Sequence, residues 1–143
     1  MNEYKYEDIT VGMKESFSVR VTEEMMGQFL QITGDNNPLH NDEAYAREKG
    51  FPSRVAYGML TASFLSTLAG VYLPGKYSLI YNVQTEFPKP VFIGDELTVT
   101  GKVSEKDDRF RMFTVKVSIT NGSGKKVCRG KMQIGVKKRD DQR

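Results

Sequence analysis

Gly58-Met59-Leu60-Thr61-Ala62-Ser63-Phe64-Leu65-Ser66-Thr67-Leu68-Ala69-Gly70-Val71-Tyr72-Leu73, closed by Pro74-Gly75, is the stretch on which the fold turns. It carries no charge, and its residues are apolar or small on every side of the helix that they predict. Such a helix, roughly 24 Å long, is expected to be buried on most of its circumference and to sit at the centre of the fold. Each large side chain buried there contributes on the order of 1.5–3 kcal/mol before entropy is subtracted.

Downstream of this run the sequence reads as sheet. Tyr77 to Phe87 is rich in aromatic and β-branched residues, and Pro88 and Pro90 bracket a bend. Gly94-Asp95 and Asp107-Asp108 are turn signals. Between them Leu97, Val99 and Val103 alternate with Thr98, Thr100 and Lys102. Phe113, Val115, Val117 and Ile119 alternate with Thr114, Lys116 and Ser118, and Asn121-Gly122-Ser123-Gly124 closes a hairpin. Cys128, Gly130, Met132, Ile134 and Val136 form the inward face of a last strand, which makes Cys128 a core residue and not a nucleophile.

Upstream, Glu15 to Val21 alternates with Phe17, Val19 and Val21 on one face and predicts a strand. Thr22 is a helix cap, and Glu23 and Glu24 suit the positive end of the helix that follows. Met25, Met26, Phe29, Leu30 and Ile32 give that helix its spacing, and Gly34 ends it. A second short helix runs through Glu43 to Lys49, capped by Asn41 or Asp42 and stopped by Gly50 and Phe51-Pro52. One early strand, then helices, then a long antiparallel meander amount to an α+β layout, one helix wrapped by a curved sheet.

Between the two upstream helices lies Gly34-Asp35-Asn36-Asn37-Pro38-Leu39-His40, which holds the only histidine of the chain. Pro38 restricts both itself and Asn37, and the asparagines favour a turn. A bent loop of this length brings Asp35 and His40 to one small site. A carboxylate and an imidazole converging on a water or a substrate proton are equipment for general acid–base chemistry. On the spacing alone, a turn whose histidine merely packs is the plainer reading.

The chain has 143 residues, 38% apolar and 27% charged, with no tryptophan. That fits one soluble domain, with a core from about residue 10 to 136 and a short polar tail from 137 to 143. No apolar run approaches the roughly 20 residues that span a bilayer, so no membrane association is expected. The acidic, polar start from Met1 to Asp8 does not have the pattern of a signal peptide. One cysteine and one histidine leave little for an internal disulfide or a metal site, and a cytoplasmic home is the default expectation. Net charge is +3 and pI near 8.9. The cluster Lys137-Lys138-Arg139, followed by Asp140 and Asp141, reads as a solvated tail. With no Arg-rich helix and no aromatic–basic motif, nucleic acid is not an expected partner.

Three segments together resemble one known family. Phe29-Leu30-Gln31-Ile32-Thr33-Gly34-Asp35-Asn36-Asn37-Pro38-Leu39-His40, with Ala44 after it, resembles the signature of the (R)-specific enoyl-CoA hydratases, MaoC-like dehydratases of the hotdog fold. Gly58-Met59-Leu60-Thr61-Ala62-Ser63 resembles the start of that family's central helix, and Phe87 to Asp95 its strand-and-turn segment. The similarity runs from about Thr10 to Val136. It implies a reversible addition of water to a trans-2-enoyl thioester, giving an (R)-3-hydroxyacyl thioester. By resemblance Asp35 and His40 hold and activate the water, Asn37 orients the pair, and the Gly58 N–H bonds the thioester carbonyl. A free helix N-terminus suits that last role, because enolate charge develops on the carbonyl oxygen. Ser66 matches a serine of the central helix; its plainer alternative is a buried hydroxyl bonded to a preceding carbonyl. Where the family usually has histidine before the glycine, this chain has Tyr57, expected at the mouth of the thioester site.

The resemblance further implies a homodimer, no cofactor, and coenzyme A or an acyl carrier protein as the carrier of the acyl-thioester substrate. Two other functions share the fold: a thioesterase, and a non-catalytic thioester-binding module. Retention of both Asp35 and His40 argues against the latter.

Overall fold

The computed structural model describes residues 1–137; the expected charged tail, Lys137 apart, lies outside them. After a short 3-10 turn at Tyr6–Asp8, strand β1 spans Lys14–Arg20. Helices α1 (Glu23–Thr33), α2 (Pro38–Asn41), α3 (Glu43–Glu48) and α4 (Gly58–Thr67) follow. Strands β2 (Ser78–Glu86), β3 (Glu96–Asp107), β4 (Met112–Thr120) and β5 (Lys126–Val136) complete the chain. The five strands form one antiparallel sheet in the order β1-β3-β4-β5-β2, so β1 and β2 are its edges. This is the expected curved sheet packed on one apolar helix.

Alternation decides which side of each strand meets the helix. Leu97, Val99 and Val103 of β3, Phe113, Val115 and Ile119 of β4, and Cys128, Met132 and Ile134 of β5 are buried together. Burial also pushes the Cys128 thiol up to about 11, so at neutral pH it is an un-ionised core group. Gly101 lies directly under the helix. A Cβ there would sit 2.8 Å from both Leu68 Cδ2 and Val115 Cγ1, and only a residue without one permits this approach.

The central helix departs from expectation in one way. It does not run α-helical to Leu73: the α-helix ends at Thr67 and a π-helical turn spans Leu68–Tyr72. The Leu73 N–H donates to Leu68 O at 2.8 Å, which stacks residues five apart on one side. Leu68 and Leu73, both fully buried, thereby point into the same core. As expected, the helix is buried or half-buried on most of its circumference. Met59, Ser63 and Ser66 form an exposed stripe, because the sheet covers only the opposite side. Strand β2 is open too: Leu79, Ile80, Tyr81 and Val83 are exposed along this edge.

Candidate active site

The loop that carries Asp35 and His40 is held at both ends by its own side chains. Thr22 Oγ1 accepts from Met25 N at 3.1 Å and starts α1. Gly34 ends it in the left-handed region, φ 71°, with its N–H donating to Leu30 O at 2.7 Å. Thr33 Oγ1 accepts from Asp35 N at 3.1 Å, and Asp35 Oδ1 accepts from Asn37 N at 3.1 Å. Asn37 Oδ1 then accepts from Leu39 N at 2.9 Å and caps α2, whose first residue is Pro38. The expected turn is therefore an N-cap and one helical turn, and this places His40 on a fixed backbone. Asp42, the second of the two expected caps, starts α3 by accepting from Tyr45 N at 3.1 Å.

His40 is half-buried, and its Nδ1 lies 2.7 Å from Val55 O. A carbonyl only accepts, so Nδ1 carries the proton and donates. In the neutral ring Nε2 then holds the free lone pair; among the described residues it has no hydrogen-bond partner. Val55 is itself fixed, by its N–H donating to Leu39 O at 3.2 Å and by a bridge to Phe92.

Tyr57 connects the two ends of the motif. Its ring packs on the His40 ring with centroids 4.2 Å apart and on Phe29 at 4.9 Å. Its hydroxyl donates to Asp35 O at 2.7 Å and accepts from Asn41 Nδ2 at 3.2 Å. Asn41 Nδ2 also donates to Asn37 O at 3.1 Å. The expectation that Tyr57 stands at the mouth of the site is thus corrected. The residue is only 2% exposed, its ring packs on two other rings, and its hydroxyl is occupied. It is a brace under the loop, drawn inward because an amphipathic ring buries well when its hydroxyl finds a partner.

Directly after Tyr57, α4 begins. Tyr57 is its N-cap residue but offers no side-chain cap. The first helical N–H to bond within the turn is that of Thr61, to Tyr57 O at 3.1 Å. The amides of Gly58 and Met59 precede it, at the positive end of the helix dipole. The Phe87 ring lies 3.8 Å from where a Gly58 Cβ would stand, so Phe87 bounds the space beside this backbone.

The chain therefore brings Asp35, Asn37, His40 and Tyr57 into one hydrogen-bonded and stacked unit, with Gly58 next in sequence. Ser66 is not joined to that unit. It lies two turns along α4 and is exposed, so the alternative of a buried, back-bonded hydroxyl is overturned. Ser63 makes that bond instead, to Leu60 O at 2.6 Å. Asn41 and the Val55 carbonyl were not singled out as site residues from the sequence. Asn41 carried only a cap signal, and a backbone acceptor carries none.

Chemically, the unit offers a carboxylate, an imidazole nitrogen with a free lone pair, and uncapped amides that can take a developing negative charge. Residues 31–38 that surround it are exposed throughout.

Comparison with known proteins places the chain and its fold. Residues 8–124 match the family model described as a MaoC like domain. An (R)-specific enoyl-CoA hydratase of Rhodospirillum rubrum is 36% identical over 135 residues, covering 92% of this chain and 90% of that protein. The solved structure of an (R)-hydratase from A. caviae, described as involved in PHA biosynthesis, is similar with a TM-score of 0.86 at 32% identity. That match covers 90% of this chain and 97% of the other. The unliganded R-hydratase PhaJ1 from Pseudomonas aeruginosa gives 0.87 at 31% identity, covering 93% and 85%.

Proposed function

This chain belongs to the MaoC-like domain family, and from that membership we propose that it is an (R)-specific enoyl-CoA hydratase. It is a hydro-lyase, adding water reversibly to a trans-2-enoyl thioester. The observation that carries the site assignment is the tie made by Tyr57, which stacks on His40 while its hydroxyl holds the Asp35 backbone.

A water bound between the Asp35 carboxylate and His40 Nε2 loses a proton to the pair, and its oxygen bonds to C3 of the enoyl group. The π electrons move onto the thioester oxygen, which the Gly58 N–H stabilises. They return as C2 takes a proton from the pair, and the 3-hydroxyacyl thioester is complete. Because Nδ1 is committed to Val55 O, every proton that the imidazole exchanges passes through Nε2. Asn37 holds the loop that carries the pair. Ser66, exposed on α4, is assigned to the substrate-facing surface of the same helix. The step calls on no cofactor; coenzyme A or an acyl carrier protein only carries the acyl group.

The reading includes a homodimer. Enolate chemistry gains from excluding bulk water, yet the Asp35 loop, the Met59-Ser63-Ser66 stripe and the β2 edge are all open in one chain. An apolar edge strand left open is also a template for pairing. A second copy laid along β2 covers these surfaces. Among the described residues no helix is long and apolar enough to cross a membrane, and a cytoplasmic setting is the one we assign.

The test is incubation with crotonyl-CoA, following loss of the enoyl absorbance and resolving the product's stereochemistry. (R)-3-hydroxybutyryl-CoA is expected. Release of free coenzyme A and crotonate would establish the thioesterase function instead, and a folded protein with neither activity would refute both.

A further inference from the structure

The outer face of the sheet, turned away from α4, carries a row of like charges. Strand register sets Lys14 opposite Lys102, Lys102 opposite Lys116, and Lys116 opposite Lys131. All four are exposed. They share one side, because the alternate residues Gly101, Val103, Val115, Val117 and Met132 point to the core. At a strand spacing of about 4.8 Å the row is about 14 Å long. None of the four makes an ion pair with a described residue; the cations that do so lie elsewhere. Arg129, the nearest, is taken by Glu86 at 2.7 Å.

Like charges directly opposite one another destabilise a sheet, and here that happens at three successive strand pairs. A solvated face ordinarily intersperses both signs. Next to the lysines runs a row of hydroxyls, Ser16, Thr100 and Ser118, in matching register. A shallow depression of about 440 Å³ is lined by three of the lysines, Thr100, Ser118, Lys126 and the Arg129–Glu86 pair, so its cations outnumber its one carboxylate. The surface is thus concave, basic and rich in donors, and an extended anion lying across the strands relieves its repulsion.

The chemistry narrows the occupant. A second copy of the chain laid face to face would set lysine against lysine. Unspecific single-stranded nucleic acid binding uses aromatic platforms, and neither the lysine row nor the hydroxyl row contains an aromatic residue. An α-helix with one acidic residue per turn repeats at about 5.4 Å. That is close to the strand spacing, and the reach of lysine side chains absorbs the difference of about 2 Å over three turns. We propose that the outer sheet face docks an acidic α-helix of a partner protein, laid across β1, β3, β4 and β5 along this lysine row. The site lies on the face opposite the Asp35–His40 loop and is independent of the hydratase activity.

The test uses the intact protein and a labelled helical peptide of about five turns, with glutamates at i, i+4, i+7 and i+11 on one face. A second peptide has the same composition with the glutamates spread around the helix, and an oligothymidylate of similar length is the third probe. At about 50 mM salt, anisotropy should show the first probe binding about tenfold more tightly than the other two, and weakening as salt rises. The double substitution Lys102→Gln/Lys116→Gln should weaken it about tenfold. The same variant should melt at a higher temperature, since repulsion is removed, and hydrate crotonyl-CoA at the wild-type rate. Equal binding of the two peptides, undiminished binding by the variant, or no binding would overturn the proposal. Tighter binding of the oligothymidylate would replace it with a nucleic-acid face. A lower melting temperature would contradict the repulsion from which it starts.

Discussion

His40 has one nitrogen to offer, and Asp35 stands on the same braced loop, so the two should behave as one unit. Asp35→Asn keeps the shape and removes a base and a charge; His40→Ala removes the imidazole. Each is expected to lower kcat for crotonyl-CoA by about 10²–10⁴, and the double variant should be little worse than the poorer single one. Steady-state rates with melting temperatures alongside check this; folded single variants above about a tenth of wild-type kcat would remove the water-activating role. Tyr57→Phe keeps both ring contacts and deletes the bonds to Asp35 O and Asn41. A lost internal hydrogen bond costs about 1 kcal/mol, so stability should fall by that order. We expect kcat to fall about tenfold with KM little changed, because the hydroxyl positions the loop and does not bind substrate. An unchanged kcat would show that the hydroxyl is not part of the brace. That Asp35 and His40 share one bent loop was legible in the sequence, because glycine, asparagine and proline are local turn signals. Their pairing as a reactive unit rested on the family resemblance. The bonding of Tyr57 was not legible. Its contacts to Asp35 and His40 span 22 and 17 positions, and no periodicity encodes a partner at such separations.

At the scale of elements, the strands were easier to read than the helix. Strands β3, β4 and β5 each bury one side, so their alternation reports the core directly. The run from Gly58 to Leu73 is apolar all round, and such a pattern contains nothing that marks where an α-helix gives way to a wider turn. The π turn is selected by tertiary packing, with Leu68 and Leu73 both turned into the sheet. Gly101 is the counterpart of that packing on β3. Gly101→Ala forces a methyl against Leu68 and Val115, and overpacking of this kind costs typically about 1–3 kcal/mol. Thermal or urea unfolding should show it. A loss of stability below about 0.5 kcal/mol would mean that the helix–sheet seam yields more readily than a close-packed core does.

For the molecule as a whole, the longest run of open apolar side chains lies along β2, with Met59 of α4 exposed as well. Strand β2 is fixed on one side by its ladder with β5, so its outer edge can be altered without unfolding it. Val83→Lys puts a charge on an exposed position of that edge, a device that blocks strand pairing. Light scattering should give a dimer mass for the wild type and a monomer mass for Val83→Lys at micromolar concentration, with hydratase activity falling in parallel. A monomeric wild type would refute the pairing. The openness of residues 31–38 has a further consequence for how the enzyme would be assayed. If water is excluded only when two chains meet, specific activity is not a constant of the chain but a function of its concentration. Progress curves from highly diluted enzyme should sag with time as pairs separate. A substrate held by the closed pair should straighten them, since a ligand that binds only the associated form shifts the equilibrium toward it.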